Sequence, residues 1–583
     1  MCLRAPSKTL AYPWFTKEVK QALRAVRRAR KLHLKATSAH RALRGNVPAR
    51  FDTLRLLDRA RGKLRRIIKK AKKDWAYDFA SKMETKRIWS LNSWHKGIRK
   101  YRTPPLRGPD GTTAISSEEK ATLFRASFFP PPPEVPTEVF DLSSLLPHTR
   151  PFELITRTEV ENLLRHTSNR SVPGRSGISY KAIKWAMIYA GDYIIGLFNY
   201  CLLRGFHHPD WKTAVTVVIP KPNKPDYSNP RAYRPVQLLE CLGKLLEKVV
   251  ANLRLMFECS SLGLIPPEQF GGVSSASCLG AGLVLTHDLQ EAKKRKKAAS
   301  LLTVDVKGFF DSINHNCLLF VLHQMGFPAP ITTWVRSFLS DRASSISCDG
   351  FTGDMLPISV GVPQGSPISP ILSIIFSAPV LHALKEQLNL LTESLIITQS
   401  LLRDAGMSLD SSKSELMHFS SYNPAHYIIT TSPEGEEIII RPAKKFLRWL
   451  GIFFDPFLTF SHHITIMRNQ GMTAVNGLRM LSNTVRGLGQ RHLRIMVKMV
   501  VVTILTYASV VWYNPSRRQK GLIGSLQAVM NQATRLISGC FRTAPTHAKQ
   551  VLSHQPPIDL TLQKLSTSAA NCLLRLPFTA LLS

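Results

Sequence analysis

The sequence predicts an α+β protein led by a basic α-helical region, on three observations. Between Thr16 and Trp75 apolar residues recur near helical spacing inside a dense run of lysine and arginine. Two short apolar, β-prone segments, Ala214–Ile219 and Ala298–Val304, stand further along among helix-like stretches. Beyond them Leu384, Leu388, Leu391, Leu395 and Leu402 return to helical spacing. A length of 583 residues gives a prior of about three or four domains. With 44% hydrophobic residues the chain can bury a sizeable core, which excludes global disorder.

The basic region comes first. Thr16–Trp75 holds 21 Lys or Arg against four acids, about +17 of the formal +39. The break at Gly45-Asn46-Val47-Pro48 predicts two long helices. Leu54, Leu57, Leu64, Ile67 and Ile68 give the second a face that packs. A solvated basic face is the bland reading. So one-sided a charge favours phosphate contact, with Arg27, Arg28, Arg30, Lys31, Arg65, Arg66, Lys69, Lys70, Lys72 and Lys73 as the nucleic-acid-binding residues. Nine cysteines with no CxxC pair argue for a reducing compartment and against a zinc module. The longest apolar run, Met499–Tyr513, is shorter than the roughly 20 residues a bilayer span needs and is expected to be a buried helix. No membrane partner and no secretory signal are expected.

Prolines punctuate the next stretch. Tyr101–Asp110 and Phe129–Thr137, with the run Pro130–Pro133, are expected to be connectors. The strand Ala214–Ile219 then runs into a Pro- and Lys-rich loop and Tyr233-Arg234-Pro235, where Lys221, Lys224 and Arg234 are placed to converge on a triphosphate. The strand Ala298–Val304 delivers Asp305 at its end. A carboxylate there is costly unless paired or bound to a metal, and metal binding is favoured. Asp311, at the start of a helix-like pattern, is expected to cap that helix. In Ser359–Phe376 the string PQGSPISP combines Gly365, which permits close backbone approach, with Gln364, which offers a donor and an acceptor to a base or sugar. The adjacent pairs His207-His208 and His462-His463 diverge and are expected to be ordinary polar surface, not metal ligands.

In order, YRP, VDVKGFFD, GVPQGSPISP, GMSLDSSKSELMHFS and KFLRWLGIFFDPFLTFSHHI resemble the reverse transcriptase of non-LTR (LINE-type) retrotransposons, close to the fungal elements. The resemblance covers roughly residues 151 to 546. It implies a right-hand polymerase fold of fingers, palm and thumb that copies RNA into DNA with Mg²⁺, and so an RNA template, a DNA primer and dNTP as partners. Residue by residue, it implies Asp305 as the first metal ligand and Phe310 as the aromatic gate against a ribose 2′-OH. Gln364 and Gly365 match the loop that positions nucleotide and template, and Lys221 and Arg234 match triphosphate contacts. Lys413 matches the lysine that protonates pyrophosphate, and Trp449-Leu450-Gly451 the primer-grip hairpin. The division it implies is a basic helical region at 1–100, a Pro-rich connector at 101–150, fingers at 151–297, palm at 298–444, primer grip and helical thumb at 445–546, and a truncated C-terminal connection at 547–583.

Two departures weigh on function. Family members carry an aromatic-Ala/Val-Asp-Asp hairpin between the PQGSPxSP helix and the Gly…Lys segment. Here that interval, FSAPVLHALKEQLNLLTESLIITQSLLRDAGMSLD, contains no adjacent Asp pair and reads as helix. A loss of a few tens of residues near Lys385–Glu386 accounts for this, as a true deletion or as a hairpin spliced out of the reading frame. Asp404 or Asp410 as a substitute is the weaker reading. In PGRSGI, Ser176 stands where the family usually shows Asp. The expectation is a reverse transcriptase by descent whose catalysis is impaired. The alternatives are a non-catalytic nucleic-acid-binding remnant or a decayed mobile-element fragment. The family works at nuclear DNA, so the nucleus is expected, with the mitochondrion as the alternative.

Overall fold

The structure is a computed structural model of the chain. It describes residues 16–43, 49–81, 103–132, 135–136, 151–222, 224–273, 276–386, 391–419, 427–431, 437–443, 445–482, 488–515 and 519–573. Parts of the basic region and of the Pro-rich connector, and the chain immediately after Glu386, lie outside these residues. The fold mixes helix and sheet in two compact units. One holds Met1–Arg99, His463–Ser509 and Tyr513–Cys572, the other Lys100–His462, Val510–Trp512 and Leu573–Ser583.

In the first unit the two basic helices form as the sequence predicts, over Lys17–Leu43 and Ala49–Ser81. Their apolar positions are only partly buried, with Leu54 of the expected packing face exposed. Among the described residues Val19, Ala22, Ala29, Leu57 and Ala71 are the buried apolar ones, and alanine lets the helices approach closely. The same unit contains most of Ser461–Leu481, and Lys520–Ser538 and Thr546–Ser553. A Cβ on Gly471 would meet Leu505 Cδ2 at 2.5 Å, so glycine permits that contact. The apolar run Met499–Tyr513 is not one helix. Val497–Val502 is a π-helical stretch, Ala508 adopts a left-handed φ of 55°, and Ser509–Trp512 is a separate turn. The β-branched run Val500-Val501-Val502-Thr503 weakens regular helix there.

The second unit is built on a five-stranded sheet. Thr213–Pro220 pairs antiparallel with Tyr233–Leu238 on one side and parallel with Arg342–Cys348 on the other. Phe351–Thr352 and Leu356–Ile358 both pair with Arg342–Cys348. Helices bury Phe198, Leu322, Trp334, Phe338, Leu372 and Phe376 in one core cluster. The helix Tyr180–Leu203 is, among the described helices, the one long and apolar enough by length and composition to cross a bilayer. It is kinked at Ala190 and turns Ile183, Met187, Phe198 and Leu202 into the core. Tyr101–Asp110 is not simply a connector. Leu106–Arg107 pairs with Thr113–Ala114 as a small hairpin, because Leu106 is fully buried and Gly111 supplies a positive φ of 81°.

A separate two-stranded ladder positions the site. Ala299–Thr303 pairs antiparallel with Glu415–Phe419, Thr303 opposite Glu415. Between these strands in sequence, Ser369–Glu386 and Leu391–Asp404 are helical, as the leucine spacing predicts.

Candidate functional site

The ladder sets two carboxylates side by side. Past Thr303 the pairing continues as a bridge between Val306 and Leu409. The Asp410 amide donates to the Asp305 carbonyl at 2.7 Å, and the Lys307 amide to the Ser408 carbonyl at 2.9 Å. A 3₁₀ turn over Ser411–Lys413, closed by the Lys413 amide on the Asp410 carbonyl at 3.0 Å, brings Lys413 back over both. Its Nζ lies 2.6 Å from Asp305 Oδ2 and 2.6 Å from Asp410 Oδ2. Ser412 Oγ donates to Asp410 Oδ1 at 2.6 Å. Partial burial opposes the charged form of Lys413, but its bonds to the two carboxylates outweigh it and hold its pKa above the ordinary lysine value. Burial likewise opposes ionised Asp410, and Lys413 and Ser412 outweigh it, so its pKa is lowered.

After Asp305 the chain turns through Gly308, whose φ of 55° is left-handed, into Phe309–Ser312. Asp311 does not cap the helix that follows. Asn314 does, its side chain accepting from the Asn316 and Cys317 amides, because that helix starts only at His315. Asp311 instead accepts from Gln364 Nε2 at 2.8 Å. Burial raises its pKa to about 6, against the lowering effect of the Gln364 bond and the Lys221 charge. Phe310 packs edge-on against Phe309, with ring centroids 6.3 Å apart.

The PQGS loop is fixed from behind. Gln237 donates its amide to the Gln364 carbonyl at 2.7 Å. Gly365 has φ 134°, and a Cβ there would lie 2.4 Å from the Gln237 carbonyl oxygen. Ser366 Oγ donates to Glu247, a fully buried carboxylate whose pKa burial raises, with Ser366 and Arg342 acting the other way. Arg342 is itself buried, which pushes its pKa down to about 10. Glu247 and Arg342 carry no motif signal in the sequence. Glu247 stands in an apolar helical pattern, and nothing around Arg342 marks it.

Lys221, on the loop after the strand Thr213–Pro220, donates to the Arg231 carbonyl at 2.9 Å. Burial lowers its pKa, and the fields of Lys224, Arg234 and Lys413 lower it further, while Asp311 opposes them. Lys221, Arg234, Asp305, Asp311, Gln364 and Lys413 therefore gather in one neighbourhood. Trp449 ends the strand Leu447–Trp449 of a hairpin with Ile452–Phe454, turned by Leu450 at φ 49° and Gly451 at φ 83°. The ten basic residues singled out in the first unit are all exposed. Ser176 donates through Oγ and its amide to Glu240, so an Asp there would set two carboxylates against each other. The histidine pairs are not simply surface: His207 and His463 are fully buried, His207 because Trp211, Trp334 and Phe338 enclose its ring, while His208 is half-buried and accepts from the Asp210 amide. His462 stacks on Phe446 at 3.8 Å.

The donor set does not fit a pair of divalent metals. Among the described residues no group of three or more His, Cys, Asp or Glu converges, and the two carboxylates that do converge share an ammonium.

The family model of the reverse transcriptase (RNA-dependent DNA polymerase) matches residues 219–393, which include Lys221, Arg234, Asp305, Phe310, Gln364 and Gly365. The probable RNA-directed DNA polymerase from transposon BS of Drosophila melanogaster is 25% identical, over 90% of this chain and 60% of its own length. The RNA-directed DNA polymerase from mobile element jockey of the same species is 27% identical, over 67% of this chain and 45% of its own. The Pol polyprotein from type-1 retrotransposable element R2 of Popillia japonica is 26% identical over 35% of this chain and 27% of its own. The chain spans about half the length of the first two relatives. On the matched domain and these relatives together, the chain carries a reverse transcriptase domain and is a relative of the RNA-directed DNA polymerases of non-LTR retrotransposons.

Proposed function

We propose that this chain is a reverse transcriptase by descent that binds an RNA template, a DNA primer and dNTP but does not polymerise efficiently. The observation that carries the reading is the Lys413 ammonium 2.6 Å from both Asp305 and Asp410, in a segment without an adjacent Asp pair. Reverse transcriptases generally use divalent metal ions. In-line attack of a primer 3′-OH depends on charge neutralisation at the phosphates, and few groups remain here to supply it with metals. The binding half of the machinery has better support. Lys221 and Arg234 share a cationic neighbourhood suited to a triphosphate, and the loop at Gln364-Gly365 is held rigid for a nucleotide. Phe310 is proposed as the 2′-OH gate and Trp449-Leu450-Gly451 as the primer grip. In this reading the strands Thr213–Pro220 and Tyr233–Leu238 belong to the fingers, the Asp305 ladder and the strand Arg342–Cys348 to the palm, and the Trp449 hairpin and the helices between residues 461 and 546 to the primer grip and thumb. The basic helices add phosphate contacts. The site of action is nuclear DNA, and neither a membrane nor zinc is required.

Primer extension tests it. Purified full chain with a primed RNA template, dNTP and Mg²⁺ is expected to add no measurable nucleotide while shifting the same template in a gel. Robust incorporation that disappears in Asp305→Ala would overturn the reading.

A further inference from the structure

We propose that the Lys413 ammonium is the resident cation of the Asp305–Asp410 pair, filling with a side chain the place from which a divalent ion would bridge the two carboxylates. The proposal rests on reading Asp305 as the metal-ligand position of the domain. It goes beyond that reading by assigning what occupies the position and which second carboxylate it shares.

An exposed ion pair alone would not carry this. Asp305 and Lys413 side chains are each 52% exposed, and isolated pairs of that kind are worth little. What distinguishes this one is its construction. Both carboxylates are tied together through the backbone, by the Asp410 amide on the Asp305 carbonyl and the Val306–Leu409 bridge. Lys413 is delivered by the turn that follows Asp410, so its ammonium bridges two carboxylates already held adjacent. Asp410 is the more enclosed partner, with a side chain 16% exposed. Its second oxygen is taken by Ser412. Three of the four carboxylate oxygens are thus engaged before any ion arrives.

A divalent ion seeks about six oxygen ligands. Here it would have to expel a tethered ammonium, whose local concentration no free ion matches, or sit beside it. Beside it the ion would face a fixed positive charge at close range, and the two repel. The tethered cation therefore wins, and the carboxylate pair is silent toward metal in the unaltered chain.

Mn²⁺ is the probe, titrated into the full chain and followed by the EPR signal of the free ion. The wild type and Asp305→Asn are expected to take up Mn²⁺ identically. Lys413→Met is expected to gain one site, at least about tenfold tighter than any in the wild type, and Lys413→Met/Asp305→Asn to lose it. Lys413→Arg, which keeps the charge, is expected to gain none. A wild-type site abolished by Asp305→Asn overturns the proposal. So does a folded Lys413→Met, with unchanged circular dichroism, that gains no site. If Lys413→Met does not fold, the wild type against Asp305→Asn decides. Primer extension is read separately. Asp305-dependent Mn²⁺ uptake without extension rejects only the resident cation, and extension without such uptake rejects only the impaired-polymerase reading.

Discussion

Asp311 shows how a single side chain carries a pH signature. Burial, opposed by the Gln364 bond and the Lys221 charge, leaves its pKa at about 6, above the ordinary aspartate value of 3.8. The folded chain then holds a proton that the unfolded chain releases between pH 4 and 6, so stability falls as pH rises through that window. Above it the ionised carboxylate destabilises the fold by on the order of 2–3 kcal/mol. Asp311→Asn, which keeps an acceptor for Gln364, is expected to raise stability at pH 7 by that order and to flatten the dependence between pH 4 and 6. Chemical denaturation at pH 4.5 and pH 7.5 checks it, and an unchanged difference between the two would reject burial as the cause. The sequence places Asp311 by its spacing from Asp305 but misassigns its partner. Nothing local tells a helix cap from a carboxylate aimed at a loop more than fifty residues on, whereas Asn314 caps the helix three residues later.

At the scale of elements the strands are readable in the sequence and the turns less so. Thr213–Pro220 and Ala299–Thr303 fall within a residue of the expected segments, since apolar, β-branched runs bounded by proline or by charge have few other folds. The ladder between Ala299–Thr303 and Glu415–Phe419 is not legible, because strand pairing at such separation leaves no periodic mark. With it goes Asp410, a weak substitute on sequence grounds that the fold sets beside Asp305. The PQGS loop, by contrast, announces its constraint. Gly365 combines φ 134° with a backbone oxygen 2.4 Å from where a Cβ would sit. Gly365→Ala is expected to cost about 2–4 kcal/mol of stability through strain and displacement of the Gln237 strand. A shift of the denaturation midpoint below what about 1 kcal/mol would give would show that the loop yields easily.

Charge dominates the behaviour of the whole molecule. The chain carries +39, and Arg27, Arg28, Arg30, Lys31, Arg65, Arg66, Lys69, Lys70, Lys72 and Lys73 lie exposed on two paired helices with small buried contacts. Each phosphate neutralised releases counterions, so the logarithm of affinity falls linearly with log salt. Removing residues 1–75 is expected to weaken RNA and DNA binding and to lower the slope of log K against log salt by about 5, the loss of some six phosphate contacts. An unchanged slope would make the helices a solvated face.

The Ala299–Thr303 and Glu415–Phe419 ladder also bears on how this chain meets other chains. A strand with a bare edge templates the addition of other chains and betrays itself as aggregation. Here one edge of Ala299–Thr303 is closed from within the same chain, register intact from Ala299 opposite Phe419 to Thr303 opposite Glu415. A chain sutured in this way offers chaperones and proteases no ragged seam at that edge. The other edge of Ala299–Thr303 pairs with no described strand, so that protection is confined to one side.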